Sequence, residues 1–256
     1  MLIIGLTAVA AIAAFSITIT SGTIDVWWAP VHVFLTWAFV REVDPDHDWA
    51  ALIAAFIAGL WVIVGLEPMS ALALLGLMIA ARLVLNSTGR RPLRTDLVAL
   101  ALGASAIAYT PEGWIAGFAL AVAMYIDHRL AAVTNRGGLI AAAVAALGTS
   151  VVATMTEAVP ETVPDVRPLL SVVVGVVALW AIIREPVDPL SVTDSRDRRL
   201  LEARRLHAAR SLVGMALFLA ALLMGPTAEG LVPAFVGFAL ALTFGERERL
   251  RRGWNR

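Results

Sequence analysis

His32 stands in the run DVWWAPVHVFLTW, residues 25–37, which is otherwise apolar enough for lipid. An ionisable group at such depth could be a proton relay, a substrate contact or a metal ligand. Pro30, two residues earlier, is expected to remove one backbone hydrogen bond and expose a carbonyl beside it. Glu157, in TMTEAV, is a second titratable group at the end of an apolar run. The plainer account of His32 is a neutral ring bonded across a helix interface, to Thr18, Thr36 or a freed carbonyl. Two-histidine haem ligation fails on supply, because His47, His128 and His207 all lie in or beside charged stretches.

Two polar clusters offer different chemistry. REVDPDHDW, residues 41–49, brings Asp44, Asp46, His47 and Asp48 together. Such oxygen and imidazole ligands could hold a divalent cation, or a lipid-linked phosphate through one. A simpler account is a turn started by Asp-Pro, with Asp48 capping a helix that begins at Trp49. MYIDHRL, residues 124–130, places Asp127 and His128 beside Arg129 at a helix end, where Arg129 is expected to snorkel and Asp127 to pair with it or with Arg82. The acids Asp25, Glu67, Glu112, Glu161, Asp165 and Glu229 occur in short turns. They could form a cation-concentrating vestibule, or simply complement helix N-termini.

The elements that must position these groups are legible in the composition. The chain is 59% hydrophobic and 16% charged, with mean hydropathy +0.81. Soluble domains carry nearer a quarter charged residues. Here the charges gather between apolar runs of membrane-spanning length. Cysteine is absent, which excludes disulfides, thiolate metal sites and a cysteine nucleophile. Every basic residue is arginine, so lysine Schiff-base chemistry and a lysine-dependent phosphate loop are excluded too. No set of residues calls for a cofactor, and no resident metal is expected. The apolar run from Leu2 has no basic segment before it and reads as a retained first helix.

The apolar runs predict about ten spans: 2–21, 23–40, 49–66, 68–86, 96–110, 114–130, 138–158, 168–184, 211–225 and 231–246. Eight is the fallback count, since the second, fifth and ninth are the weakest. Arginine falls almost wholly on one set of connections, the other holding only Arg167. The positive-inside rule then places both termini in the cytoplasm, which an even number of spans allows. The expected fold is an all-α polytopic integral membrane helical bundle of serial hairpins, forming a single transmembrane domain over residues 1–256. Runs such as AAAVAALGTS (141–150) supply the small faces on which helices associate in lipid. GFALA at 117–121 recurs at 237–241, each time after an EG turn, a weak sign of hairpin duplication.

Residues 187–210 read as a cytoplasmic basic amphipathic loop, with a short helix from about Asp194 or Ser195, and residues 247–256 as a basic tail. Both could bind anionic lipid head groups. A nucleic-acid role is not expected with so little mass outside the membrane. No complete signature of a prenyltransferase, a CDP-alcohol phosphotransferase, an intramembrane protease or a potassium filter is present. Three function classes fit. The first is a small transporter or permease with His32 and Glu157 on a polar path. The second is an enzyme acting on a lipid or lipid-linked substrate at the cytoplasmic face, through the 44–48 and 127–128 residues. The third is an accessory or assembly subunit, with a homo-oligomer or another membrane protein as partner.

Overall fold

A computed structural model describes residues 28–46, 48–66, 70–87, 92–110, 112–131, 136–156, 168–183, 202–224 and 230–254. Among these the protein is all-α, with no strand. The helices are α1 (Trp28–Val43), α2 (Asp48–Ile63), α3 (Ala71–Leu85), α4 (Arg94–Ile107), α5 (Gly113–Leu130), α6 (Arg136–Met155), α7 (Pro168–Ile183), α8 (Ala203–Leu223) and α9 (Val232–Trp254). Each overlaps one expected span from the second to the tenth; the first expected span, 2–21, lies outside the described residues.

Helix length separates these elements. The 14 residues of α4 rise only about 21 Å, short of a hydrocarbon core of about 30 Å. Two described helices are long and apolar enough to cross a membrane, Gly137–Met155 and Ala203–Leu223. Asp48–Ile63, Ala71–Leu85, Leu170–Ile183 and Val232–Thr243 are apolar but shorter. Two boundaries differ from expectation. The span expected at 211–225 begins earlier, because α8 runs unbroken from Ala203 and takes in the end of the expected loop. Likewise α9 continues through ERERLRRGW, which was expected as a tail. Arginine is a good helix former, so nothing in either arginine-rich stretch stops the helix.

The chain divides into two compact units, Met1–Ala71 with Thr227–Arg256, and Leu72–Pro226. In the first unit α1, α2 and α9 pack pairwise. They approach closely because α9 carries Gly237, where a side chain would overlap Val40 of α1 and Ala54 of α2. In the second unit α5 is central, packing on α4, α6 and α8, while α4 also meets α6 and α7 pairs with α8. Gly117 of α5 makes its crossing possible. A Cβ there would stand 2.7 Å from the Ala104 carbonyl of α4 and 2.8 Å from Thr149 Oγ1 of α6.

On α2 and α6 small residues face inward and large apolar ones face outward, while Phe39, Leu77, Leu120, Leu217, Phe238 and Leu242 are buried on other helices. On α2 the buried residues are Ala50, Ala51, Ala54, Ala55, Ala58 and Gly59, while Trp49, Ile53, Phe56 and Leu60 are exposed. On α6, Ala141, Ala142, Ala145 and Ala153 are buried, while Ile140, Val144, Leu147 and Val151 are at least half exposed. Burial from water favours the opposite arrangement, since a Leu or Phe gains far more than an Ala. Helices that associate in lipid gain nothing by hiding large side chains from their solvent, and pack through small ones.

Candidate functional site

Four titratable side chains are buried among the described residues: His32, Asp44, Arg205 and Arg210. Arg205 is the best defined. It opens a stripe on α8 that continues through Ala209, Val213, Ala216 and Ala220, all buried and spaced at whole helical turns. Its Nη1 donates to Asp127 Oδ1 of α5 at 2.8 Å and to the Val84 carbonyl of α3 at 2.8 Å. Glu202 stands 3.8 Å from its Nε.

The Val84 carbonyl is available for a local reason. Asn86 takes a left-handed conformation, φ 53°, after the end of α3. The Ser87 amide then donates to the Arg82 carbonyl and the Asn86 amide to the Leu83 carbonyl. This reversal satisfies two of the last carbonyls of α3 and leaves Val84 to another donor. Arg205 supplies it from a different helix. One guanidinium thus ties α8 to α3 and α5, with each contact charge-assisted. Its chemistry is that of a clamp, in which the cation and the carboxylate compensate each other.

His128 does not join Asp127 at this clamp. Neighbouring helix residues point about 100° apart, and the His128 side chain lies against the start of α6, where a Cβ at Gly138 would be 3.4 Å from His128 Cβ. Its Nδ1 is buried with no hydrogen-bond partner. Asp127 and His128, expected as a joint site, therefore serve separate contacts.

In the first unit, Arg41 closes the turn between α1 and α2. Its Nη1 donates to the Pro45 carbonyl and pairs with Asp48 Oδ1 at 2.9 Å. Asp48 is the first residue of α2, where the macrodipole favours an acid. Asp44 is buried at the end of α1, its amide donating to the Val40 carbonyl. Asp46 is part-buried in the same turn, and His47 lies outside the described residues. No group of three or more histidine or acidic side chains that could hold a metal ion occurs among the described residues. Asp44, Asp46 and Asp48 belong to the first unit and Asp127 and His128 to the second.

His32 is 7% exposed. It shares one face of α1 with Ala29, Thr36, Val40 and Val43, all buried. Beside it Val33 packs with Ala55 and Ala58 of α2, against which Trp37 also lies. Pro30 is the third residue of α1. Among the described residues, His32 is the buried titratable side chain with neither a hydrogen bond nor an ion pair: Arg205 has its clamp, and Asp44 and Arg210 are also engaged. Glu157 lies outside the described residues.

Sequence reasoning treated Arg205 as one more topology-setting charge. The signal that could have found it is its register: it falls in phase with the alanine and valine stripe of the same helix, whereas Arg204 does not.

No family model, curated protein or solved structure matches the chain. The fold defines an all-α protein of two compact units, two of whose described helices are long and apolar enough to cross a membrane.

Proposed function

We propose that the chain is a multi-pass protein of the cell membrane, its ten helical spans placing both termini in the cytoplasm, and that it acts as a small permease. The shorter helices fit this reading if the bilayer thins around them or flanking residues snorkel. Support for the membrane setting comes from α2 and α6, where alanine lies inside and Trp, Phe, Leu, Ile and Val lie outside. A polar path past His32 and Thr36 of the first unit carries the transport reading. The single observation behind it is His32 itself, buried without a polar partner among the described residues. A buried polar group normally has a partner, and an ionisable one left without a partner inside a span is a functional candidate.

The interfacial-enzyme reading draws less support, because Asp127 is engaged by Arg205 and Asp48 by Arg41. The natural absence of cysteine makes a direct test simple. Single cysteines replace Val31, His32, Val33, Phe34 and Thr36 in turn. A membrane-impermeant thiol reagent should label positions 32 and 36 in intact membranes. Position 33, packed on α2, and the outward-facing 31 and 34 should stay unlabelled. Equal silence at 32, 34 and 36 in variants that retain their helicity sinks the permease reading.

A further inference from the structure

Along α7 and α8 runs a groove of about 530 Å³. Its walls are Val172, Val176 and Leu179 of α7 and Met215, Phe218 and Leu222 of α8. Its shape is built in. Gly175 lets the Phe218 ring lie against α7, since a Cβ there would be 2.9 Å from the ring. Near one end the Ser171 hydroxyl donates to the Ala221 carbonyl at 3.0 Å, and near the other the Ser211 hydroxyl donates to the Ala181 carbonyl at 3.4 Å. Two helices tied at both levels hold the groove open between them.

A charge stands in line with it. Arg204 lies on α8 eleven residues before Met215 and eighteen before Leu222, about three and five whole turns, so it projects from the same face. Arg204 is exposed and makes no ion pair or hydrogen bond among the described residues. Its neighbour Arg205 is committed to Asp127 and Val84. Resting on the membrane reading above, we propose that the groove is a binding site for one acyl chain of an inner-leaflet anionic phospholipid, whose head group Arg204 holds.

The dimensions agree. From Ser171 to Ile182 the groove follows α7 for about 16 Å, close to the roughly 15 Å of hydrocarbon in one leaflet. Arg204 lies seven residues, about 10 Å, beyond Ser211, which is level with the last turn of α7. That is the head-group depth when α8 enters from the cytoplasmic side. A zwitterionic head group offers the arginine no net charge. One arginine near the surface favours an anionic lipid by about fivefold.

Native mass spectrometry of the full chain, released from micelles containing equal phosphatidylglycerol and phosphatidylcholine, tests this. One phosphatidylglycerol should remain bound with about fivefold preference. R204Q should bring the two lipids to parity, whereas R94Q, at an exposed arginine that opens α4, should leave the preference intact. V176W, or M215W if V176W loses helicity, fills the groove and should reduce retention of both lipids. A preference unchanged in R204Q, retention unchanged in the filled variants, or a lipid-free dimer as the species covering the groove overturns the proposal. Release of the wild-type chain from membranes by alkaline washing overturns the membrane reading and this site with it. A chain that stays in the membrane but shows no head-group preference overturns the lipid site alone.

Discussion

His32 and Arg205 are buried to the same degree, 7% and 8% exposed, and their surroundings are opposite. Arg205, in the second unit, has an acid and a backbone carbonyl at 2.8 Å, each from a different helix. His32, in the first unit, shares its face with alanine, valine and one threonine. The difference follows from what each group tolerates. A guanidinium cannot lose its proton in a protein and must be compensated wherever it is buried. An imidazole can remain neutral, so its burial without a partner is affordable for folding and available for function. Full compensation marks Arg205 as part of the scaffold, whereas among the described residues His32 has no such partner.

The largest effect should come from breaking the clamp. R205A leaves Asp127 and the Val84 carbonyl without their donor and should destabilise the fold by about 3–5 kcal/mol. Unfolding in mixed micelles against increasing SDS, followed by helical circular dichroism, measures it. R205M combined with D127L should recover most of that loss, because no charge is then stranded. The remaining deficit, about 1–3 kcal/mol, is the orphaned Val84 carbonyl. A single-mutant cost below 1 kcal/mol would remove Arg205 from the scaffold and erase the contrast with His32.

Next comes the α4–α5–α6 crossing. G117A drives a methyl against the Ala104 carbonyl and Thr149 Oγ1, and should cost about 1–3 kcal/mol. T149A made together with it should relieve part of that cost, because the threonine side chain can be removed and the carbonyl cannot. Equal stability of G117A and the parent would mean that α5 shifts freely, and would weaken the link between Asp127 on that helix and a rigid clamp.

The contrast itself is tested by H32L. A side chain kept for folding loses stability when replaced; an unpartnered polar one does not. H32L should be neutral or more stable than the parent by about 1 kcal/mol, while labelling of a cysteine at 36 falls. T149V calibrates the scale, since Thr149 Oγ1 is a buried hydroxyl with no partner in the second unit. Destabilisation of H32L comparable to R205A would make His32 structural.

The nine helices among the described residues were legible before the structure because runs of apolar residues separated by arginine, glycine and proline mark helices in water or lipid alike. Their ends were less so. Charged residues do not terminate a helix, so α8 and α9 run past the arginines that bounded the expected spans. The clamp was illegible for a different reason. Asp127 and Arg205 are 78 positions apart, and the third partner is a backbone carbonyl freed by a left-handed Asn86, which no residue pattern announces. His32 stood out because one titratable group in an apolar run is conspicuous without any knowledge of its neighbours. For the same reason, the sequence could not say that Thr36 shares its buried face while Val31 and Phe34 are exposed.

The smallest effect belongs to Arg41 and Asp48, the ion pair of the first unit. Their side chains are 37% and 69% exposed, against 10% and 19% for Arg205 and Asp127. Water and salt already screen such a pair, so R41Q should cost at most about 1 kcal/mol. Its cost should shrink further between 50 mM and 500 mM salt, as that of R205A should not, because screening reaches only the exposed pair. The same unfolding assay at two salt concentrations therefore separates a turn fastener from a clamp. A cost for R41Q as large and as salt-independent as that of R205A would place the Asp44–Asp48 turn among the compensated sites. The first unit would then hold a scaffold pair of its own, and the bareness of His32 would no longer distinguish the two units.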